Sequence, residues 1–226
     1  MPRHDDRVVV ALAAVLAVAS VVGCRSSGPP ARSARPTPPS SAKTSTSTPS
    51  GTSTAPPAQA VKPEAPVAPE KNPPGDIPDS QVFVPFVSKS GGFVVKVPEG
   101  WSRTEAASRA SFTDKLNTIA LTWAAASSAP TVDSVKAQDV KTLTATVPAF
   151  QLVSVKQVPL PSGKTVLLTY RQNSEPNPVT GKRYRLDVLR YTYFRSGKRV
   201  DLTLSSPVGA DNVDPWRTVT TSFRWR

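Results

Sequence analysis

Few side chains in this 226-residue sequence can do chemistry unaided. There is one cysteine, Cys24, and one histidine, His4. With a single histidine so near the start, the body of the chain cannot build a Ser-His-Asp or Cys-His pair, a histidine-ligated zinc or a His-Glu-x-x-His site. Serine and lysine are plentiful, so a Ser/Lys dyad, and with it a histidine-free hydrolase, stays open. Carboxylates are sparse. Asp133 and Asp139 stand six positions apart and do not share a helix face, while Asp211 and Asp214 suit a helix start. Val179-Thr180-Gly181-Lys182-Arg183 pairs Gly with Lys but lacks the earlier glycine and the following Ser/Thr of a phosphate loop, and it reads as a turn between strands. No catalytic, cofactor-binding or metal-ligating residue is assigned, and no cofactor is expected.

Charge is the next chemical resource. Lys and Arg number 28 against 16 Asp and Glu, a net charge of +12. The cations gather in two groups, Lys182, Arg183 and Arg185 in one, Arg195, Lys198 and Arg199 in the other, with Arg190 between them. Placed on one strand at about 3.3 Å per residue, the two groups lie at opposite ends and do not form one patch. Tyr191 and Tyr193 between them face a core and are not free to stack on bases, so no nucleic-acid partner is expected. These six residues are the candidate contacts to an anionic partner such as a cell-wall polymer, with a merely solubilising basic surface as the alternative.

Cys24 is explained by its surroundings. Arg3 and Arg7 precede an apolar run from Val8 to Val22 that only Ser20 interrupts. At about fifteen residues the run is short for a membrane span and suits the core of a secretory signal peptide, residues 1–23. It ends Val21-Val22-Gly23-Cys24, which resembles a bacterial lipobox. The resemblance implies a diacylglycerol thioether on Cys24, cleavage just before it, and attachment to the outer face of the cell membrane. Two acyl chains anchor stably where one would not. An exported chain with one cysteine has no internal disulfide, so its fold must stand on its core.

Residues 24–80 read as a tether. They hold more than half of the 25 prolines, many Ser, Thr and Ala, and no aromatic residue or Leu. Such a segment cannot bury enough apolar surface to offset its ordering entropy, and Pro-rich chains extend at about 3.1 Å per residue. Residues 81–226 hold all four Trp, all four Tyr and all seven Phe, and read as one domain. Phe93, Val95 and Val97 alternate before a Pro98-Glu99-Gly100 turn. "ASFTD" and "TIALTWA" read as strands. Thr131–Val147, between Pro130 and Pro148, has helical apolar spacing. Two long strands flank Pro161-Ser162-Gly163, and two more flank Ser196-Gly197. A two-residue turn at Ser196-Gly197 sets Tyr193 against Val200, Tyr191 against Leu202 and Leu189 against Leu204 on one apolar face. Asp214-Pro215 reads as the start of a last helix burying Trp216, Val219 or Thr220, and Phe223. Trp101 and Trp123 are candidates to line a groove, or simply core. The order argues an α+β domain with a mostly antiparallel sheet and helices packed on it.

"GFVVKVPEGW" and the terminal "SFRW" helix are similar to PsbP-like domains, and the whole layout resembles actinobacterial lipoproteins of the LpqN/LpqT type. The resemblance implies an α/β/α sandwich and transfers no active-site residue. The reading is an exported, membrane-anchored lipoprotein with a non-catalytic binding or scaffolding module, not an enzyme. Its partners are expected to be the membrane through Cys24 and an anionic wall polymer or envelope protein. The alternatives are the histidine-free hydrolase and a carrier of an apolar envelope ligand, which requires a sizeable apolar cavity.

Overall fold

The computed structural model describes residues 64–226. The expected signal peptide, Cys24 and the expected tether up to residue 63 lie outside the described residues. Strands β1 (Phe83–Ser88) and β2 (Phe93–Pro98) join the short C-terminal β10 (Arg224–Trp225) in a three-stranded sheet. The large sheet has seven antiparallel strands in the order β3-β4-β5-β9-β8-β7-β6. These are β3 (Ser102–Ala106), β4 (Arg109–Asp114), β5 (Asn117–Ala125), β6 (Gln151–Leu160), β7 (Gly163–Asn173), β8 (Arg185–Arg195) and β9 (Lys198–Pro207). The expected α+β class with a mostly antiparallel sheet is the one observed.

The β8–β9 register follows from the turn. Ser196 and Gly197 both take positive φ, 49° and 74°, as a two-residue turn that continues the strand twist requires. Tyr193 then pairs with Val200, Tyr191 with Leu202 and Leu189 with Leu204, as the alternation predicts. This face carries the larger core. Val200, Leu202, Leu204, Ile119 and Leu121 are fully buried on it. It is covered by the small sheet and by α3 (Val213–Ser222), whose Trp216, Val219 and Thr220 are buried. Tyr193 stacks on Phe223 at 3.9 Å, and Phe223 stacks on Phe93 at 5.3 Å, so three rings join the hairpin, the end of α3 and the small sheet. The Tyr193 hydroxyl donates to the Thr220 carbonyl at 3.2 Å, and burial pushes its pKa up.

The opposite face holds a second core under a helix built of α1 (Val132–Ser134), a π-helical turn (Val135–Val140) and α2 (Lys141–Thr146). Thr131 and Ser134 cap its start reciprocally. Val135 and Leu143 pack over Val166, Leu168, Tyr170, Leu186 and Val188.

Three features differ from the sequence expectation. β3 has no buried residue, so it carries no apolar alternation to read. The Arg103 guanidinium instead lies over the Phe86 and Phe112 rings. The last helix starts at Val213, two residues before Pro215, its expected first helical position. And residues 64–80, expected to belong to the tether, lie against the domain as a strap, gripped by three buried asparagines. Asn212 accepts from the Ile77 amide at 2.8 Å and donates to the Gly75 carbonyl at 2.9 Å, and Asn117 donates to the same carbonyl at 2.7 Å. Asn173 accepts from the Val67 amide at 3.1 Å and donates to the Ala65 carbonyl at 2.9 Å. Ile77 enters the larger core. Gly75, at φ 141°, runs so close to Pro207 that a Cβ would sit 2.9 Å from its ring. Partners elsewhere in the chain satisfy the strap backbone, so its tether-like composition does not leave it loose.

Asn212→Ala removes one amide that serves two strap groups. It is expected to lower the unfolding free energy by about 1–3 kcal/mol in denaturant titrations. A chain beginning at residue 81 should melt well below one beginning at residue 64, and equal melting temperatures would show that the strap adds nothing.

Candidate functional site

An α-helix is about 10 Å across and strands lie about 4.8 Å apart, so one helix covers only two or three strands. α3 and the small sheet sit over the β4-β5-β9 side, which leaves the β6-β7-β8 side of that face open. A cleft of about 650 Å³ results, within the range of small-molecule sites. Its floor is Leu189 and Tyr191 of β8 with Thr169 of β7. Leu160 and Val153 of β6 form one wall, and Trp216 and Thr220 of α3 the other. Arg171 and Asp187 close one end as an ion pair at 2.8 Å, both side chains about 40% exposed. Asn212, the amide that holds the strap, lines that same end.

A Ser/Lys hydrolase needs the two side chains to converge in a cleft, and no lysine lines this one. In the depression that holds Lys96 and Ser222, the Ser222 hydroxyl takes the Lys96 backbone amide and donates to the Val219 carbonyl. No three His, Cys, Asp or Glu among the described residues come together as a metal-holding group. An open apolar cleft is what a carrier or binding module requires. Trp101 packs edge-on to Trp216 and Trp123 edge-on to Phe93, and neither is among the residues lining the cleft.

The six candidate cations are placed at the two ends of β8, as expected, but most are engaged within the chain. Lys182 pairs with Glu70, and Arg183 pairs with Glu64 at 3.3 Å while donating to the Ser174 carbonyl at 2.7 Å. Both carboxylates come from the strap. Arg185 is only 4% exposed and donates to the Ala149 carbonyl, Asn173 and Gln151, so from there it cannot meet an outside partner. Lys198 donates to the Ser90 carbonyl at 2.9 Å. Arg199 binds Asp139 at 2.6 Å and both oxygens of Asp201, and Asp201 accepts from Thr192 at 2.7 Å. Burial opposes the Arg199 charge, but Asp201 and Asp139 outweigh it and its pKa rises. This cluster pins the π-helical turn to the hairpin. Arg195 is left exposed at the hairpin tip.

The missed lining residues had a faint signal. Leu189 and Tyr191 read as core from their alternation, and nothing in the local pattern says that α3 is too narrow to reach them.

Two cations of the tip group are therefore expected to behave oppositely. Arg199→Glu gathers three carboxylates around a half-buried site and should cost about 3 kcal/mol or more. Arg195→Glu should change stability by less than about 0.5 kcal/mol. Chemical denaturation of both variants checks this, and equal effects would contradict the ion cluster.

No family model matches the chain, and no curated protein sequence matches it. Solved structures do. Cyanobacterial PsbP (CyanoP) from Synechocystis sp. PCC 6803 is 15% identical, with 69% of this chain and 100% of that chain covered and a TM-score of 0.46. A protein from Bacteroides thetaiotaomicron is 12% identical over 63% of this chain and 48% of that one, with a TM-score of 0.43. The Ran-binding protein Mog1p of Saccharomyces cerevisiae is 8% identical over 64% and 95%, also with a TM-score of 0.43. The likeness to these chains is one of chain path, and the α+β architecture with its antiparallel sheet is read from this chain's own strands and helices.

Proposed function

We propose that this chain is a lipid-anchored, non-catalytic binding module of the cell envelope, and that its cleft between α3 and β6-β7-β8 takes a ligand with an apolar body. The observation that carries the reading is the cleft itself, about 650 Å³ with Leu160, Leu189, Tyr191 and Trp216 in its lining. Burying an apolar group there returns about 25 cal/mol per Å² of surface removed from water. The half-exposed Arg171–Asp187 pair at one end offers both signs of charge to a polar headgroup. A polar mouth and an apolar floor suit an amphiphile better than a sugar or a nucleotide.

The location rests on the sequence. The Val21-Val22-Gly23-Cys24 motif and the Pro-rich stretch after it support an anchor at Cys24 on the outer face of the membrane, followed by a spacer. The partners are then the membrane through that anchor and an envelope component. A non-catalytic role is supported by the cleft lining, which pairs no nucleophile with a base.

Trp216 in the wall gives the cleft its own reporter. Dibromostearate, whose bromines quench indole emission on contact, is expected to quench the fluorescence of the full chain saturably. Leu189→Arg in the floor should weaken that quenching by about tenfold. Thr221→Trp, which narrows the mouth from the helix side, should do the same without touching the core. Quenching that neither variant changes would remove the cleft from the account. Independently, Cys24→Ser should abolish incorporation of an alkyne-labelled fatty acid and release the protein from the membrane fraction. Retained label would contradict the anchor.

A further inference from the structure

We propose that the cleft takes a single-chain amphiphile with a small anionic head, and that the head docks at the Arg171–Asp187 end. The proposal rests on the cleft reading above and names its ligand class. Arg171, Asp187 and Ser206 form one cross-strand row over β7, β8 and β9. All three line the cleft. Ser206 is only 5% exposed, yet its hydroxyl makes no hydrogen bond to any described residue. Buried polar groups are nearly always partnered, so this free hydroxyl marks a place where a ligand completes the set.

The ion pair also leaves donors free. Arg171 bonds Asp187 through Nε, at 2.8 Å, so the terminal amino groups of its guanidinium remain to donate. Charge at this end is not balanced. Arg185, two residues before Asp187 on β8, is 4% exposed, and its guanidinium bonds only the neutral Ala149, Asn173 and Gln151. Gln151 in turn pairs with Arg171 in the β6–β7 register, which places Arg185 behind Arg171. Burial first, then the charge of Arg171, pushes the Arg185 pKa down against the pull of Asp187. Two guanidinium groups thus share one carboxylate. Lys182 and Arg183 are matched by Glu70 and Glu64, and Arg217 on α3 by Asp214. One cation is left over, and an anion at this end gains a charge-assisted bond from Arg171 and a second bond from Ser206.

The rest of the cleft suits the tail. Arg171 and Gly163, the partner of Leu160, stand eight residues apart on β7, about 26 Å at the rise of a strand. Leu189, Tyr191 and Trp216 line the interval, and Leu160 lines the far end. A volume of about 650 Å³ suits one long acyl chain better than two. Charge at one end and an apolar run beyond it match the two parts of such a ligand.

The test is calorimetric titration of the full chain with four ligands of one tail, all below their micelle concentrations: decanoate, decyl phosphate, decanol and decyltrimethylammonium. At least one of the two anions is expected to bind about tenfold tighter than decanol, with the cationic ligand weakest. The tighter anion tells whether the head is a carboxylate or a phosphate. The two halves of the ion pair should act in opposite directions. Arg171→Gln should bring the anions down to the affinity of decanol. Asp187→Asn should tighten them about threefold and leave decanol unchanged. A merely structural pair would weaken all four ligands in both variants. Arg195→Gln, at the exposed hairpin tip, removes one positive charge elsewhere and should leave the preference intact. Saturable binding that ignores the head, or pair variants that move together, would overturn the proposal and leave the cleft standing. No binding of any of the four would overturn both.

Discussion

Side chains alternate with a period of two along a strand, so a single register decides the character of both sheet faces at once. In this protein the β8–β9 turn at Ser196-Gly197 makes that decision. It sends Leu189, Tyr191 and Tyr193 to one side with Val200, Leu202 and Leu204, and sends Arg190, Thr192, Arg199 and Asp201 to the other. A slip of one residue would place the Arg199–Asp201 cluster in the larger core and the aliphatic set in water. Everything packed on the sheet inherits this choice. The ring stack Phe93–Phe223–Tyr193 fastens α3 and the small sheet to the apolar side, and Asp139 fastens the π-helical turn to the charged side.

The second constraint is width. Seven strands span about 29 Å between the outer two, and a single helix covers a third of that. The two covers sit diagonally, α3 and the small sheet over β4-β5-β9 on one face, α1–α2 over β6-β7-β8 on the other. Each face therefore keeps an uncovered part, and the two parts differ in kind. The part beside α3 lies on the apolar face and becomes the cleft. The part beside α1–α2 lies on the polar face and stays an ordinary polar surface. The strap ties the cleft to the rest of the chain, because Asn212 touches both. Strain on the strap and a ligand in the cleft thus meet at one amide.

Local pattern made much of this legible. The hairpin register could be read from six alternating apolar residues and a Ser-Gly turn, and the helix at 132–146 from its spacing and flanking prolines. What sequence could not show are the non-local partners. The strap looks like tether because its own side chains do little. Its order comes from Asn117, Asn173 and Asn212, up to 137 positions away. Likewise the six cations look like a binding surface until Glu64, Glu70, Asp139 and Asp201 are seen beside three of them. The Asp139–Arg199 contact spans 60 positions and leaves no trace in either segment. β3 escaped because none of its residues is buried, and what it lays on the Phe86 and Phe112 rings is the Arg103 guanidinium. The cleft was invisible for a different reason, since it is a shortfall of cover and no residue encodes it.

The account stands or falls on the cleft being a real opening on the apolar face. Backbone amide chemical shifts of the ¹⁵N-labelled chain, followed during titration with decanoate below its micelle concentration, test this directly. The account predicts saturable shifts confined to the residues lining the cleft, Thr169, Leu189, Tyr191, Trp216 and Thr220 among them, with the polar opposite face unmoved. Shifts scattered over both faces, or centred on the helix at 132–146, would contradict it.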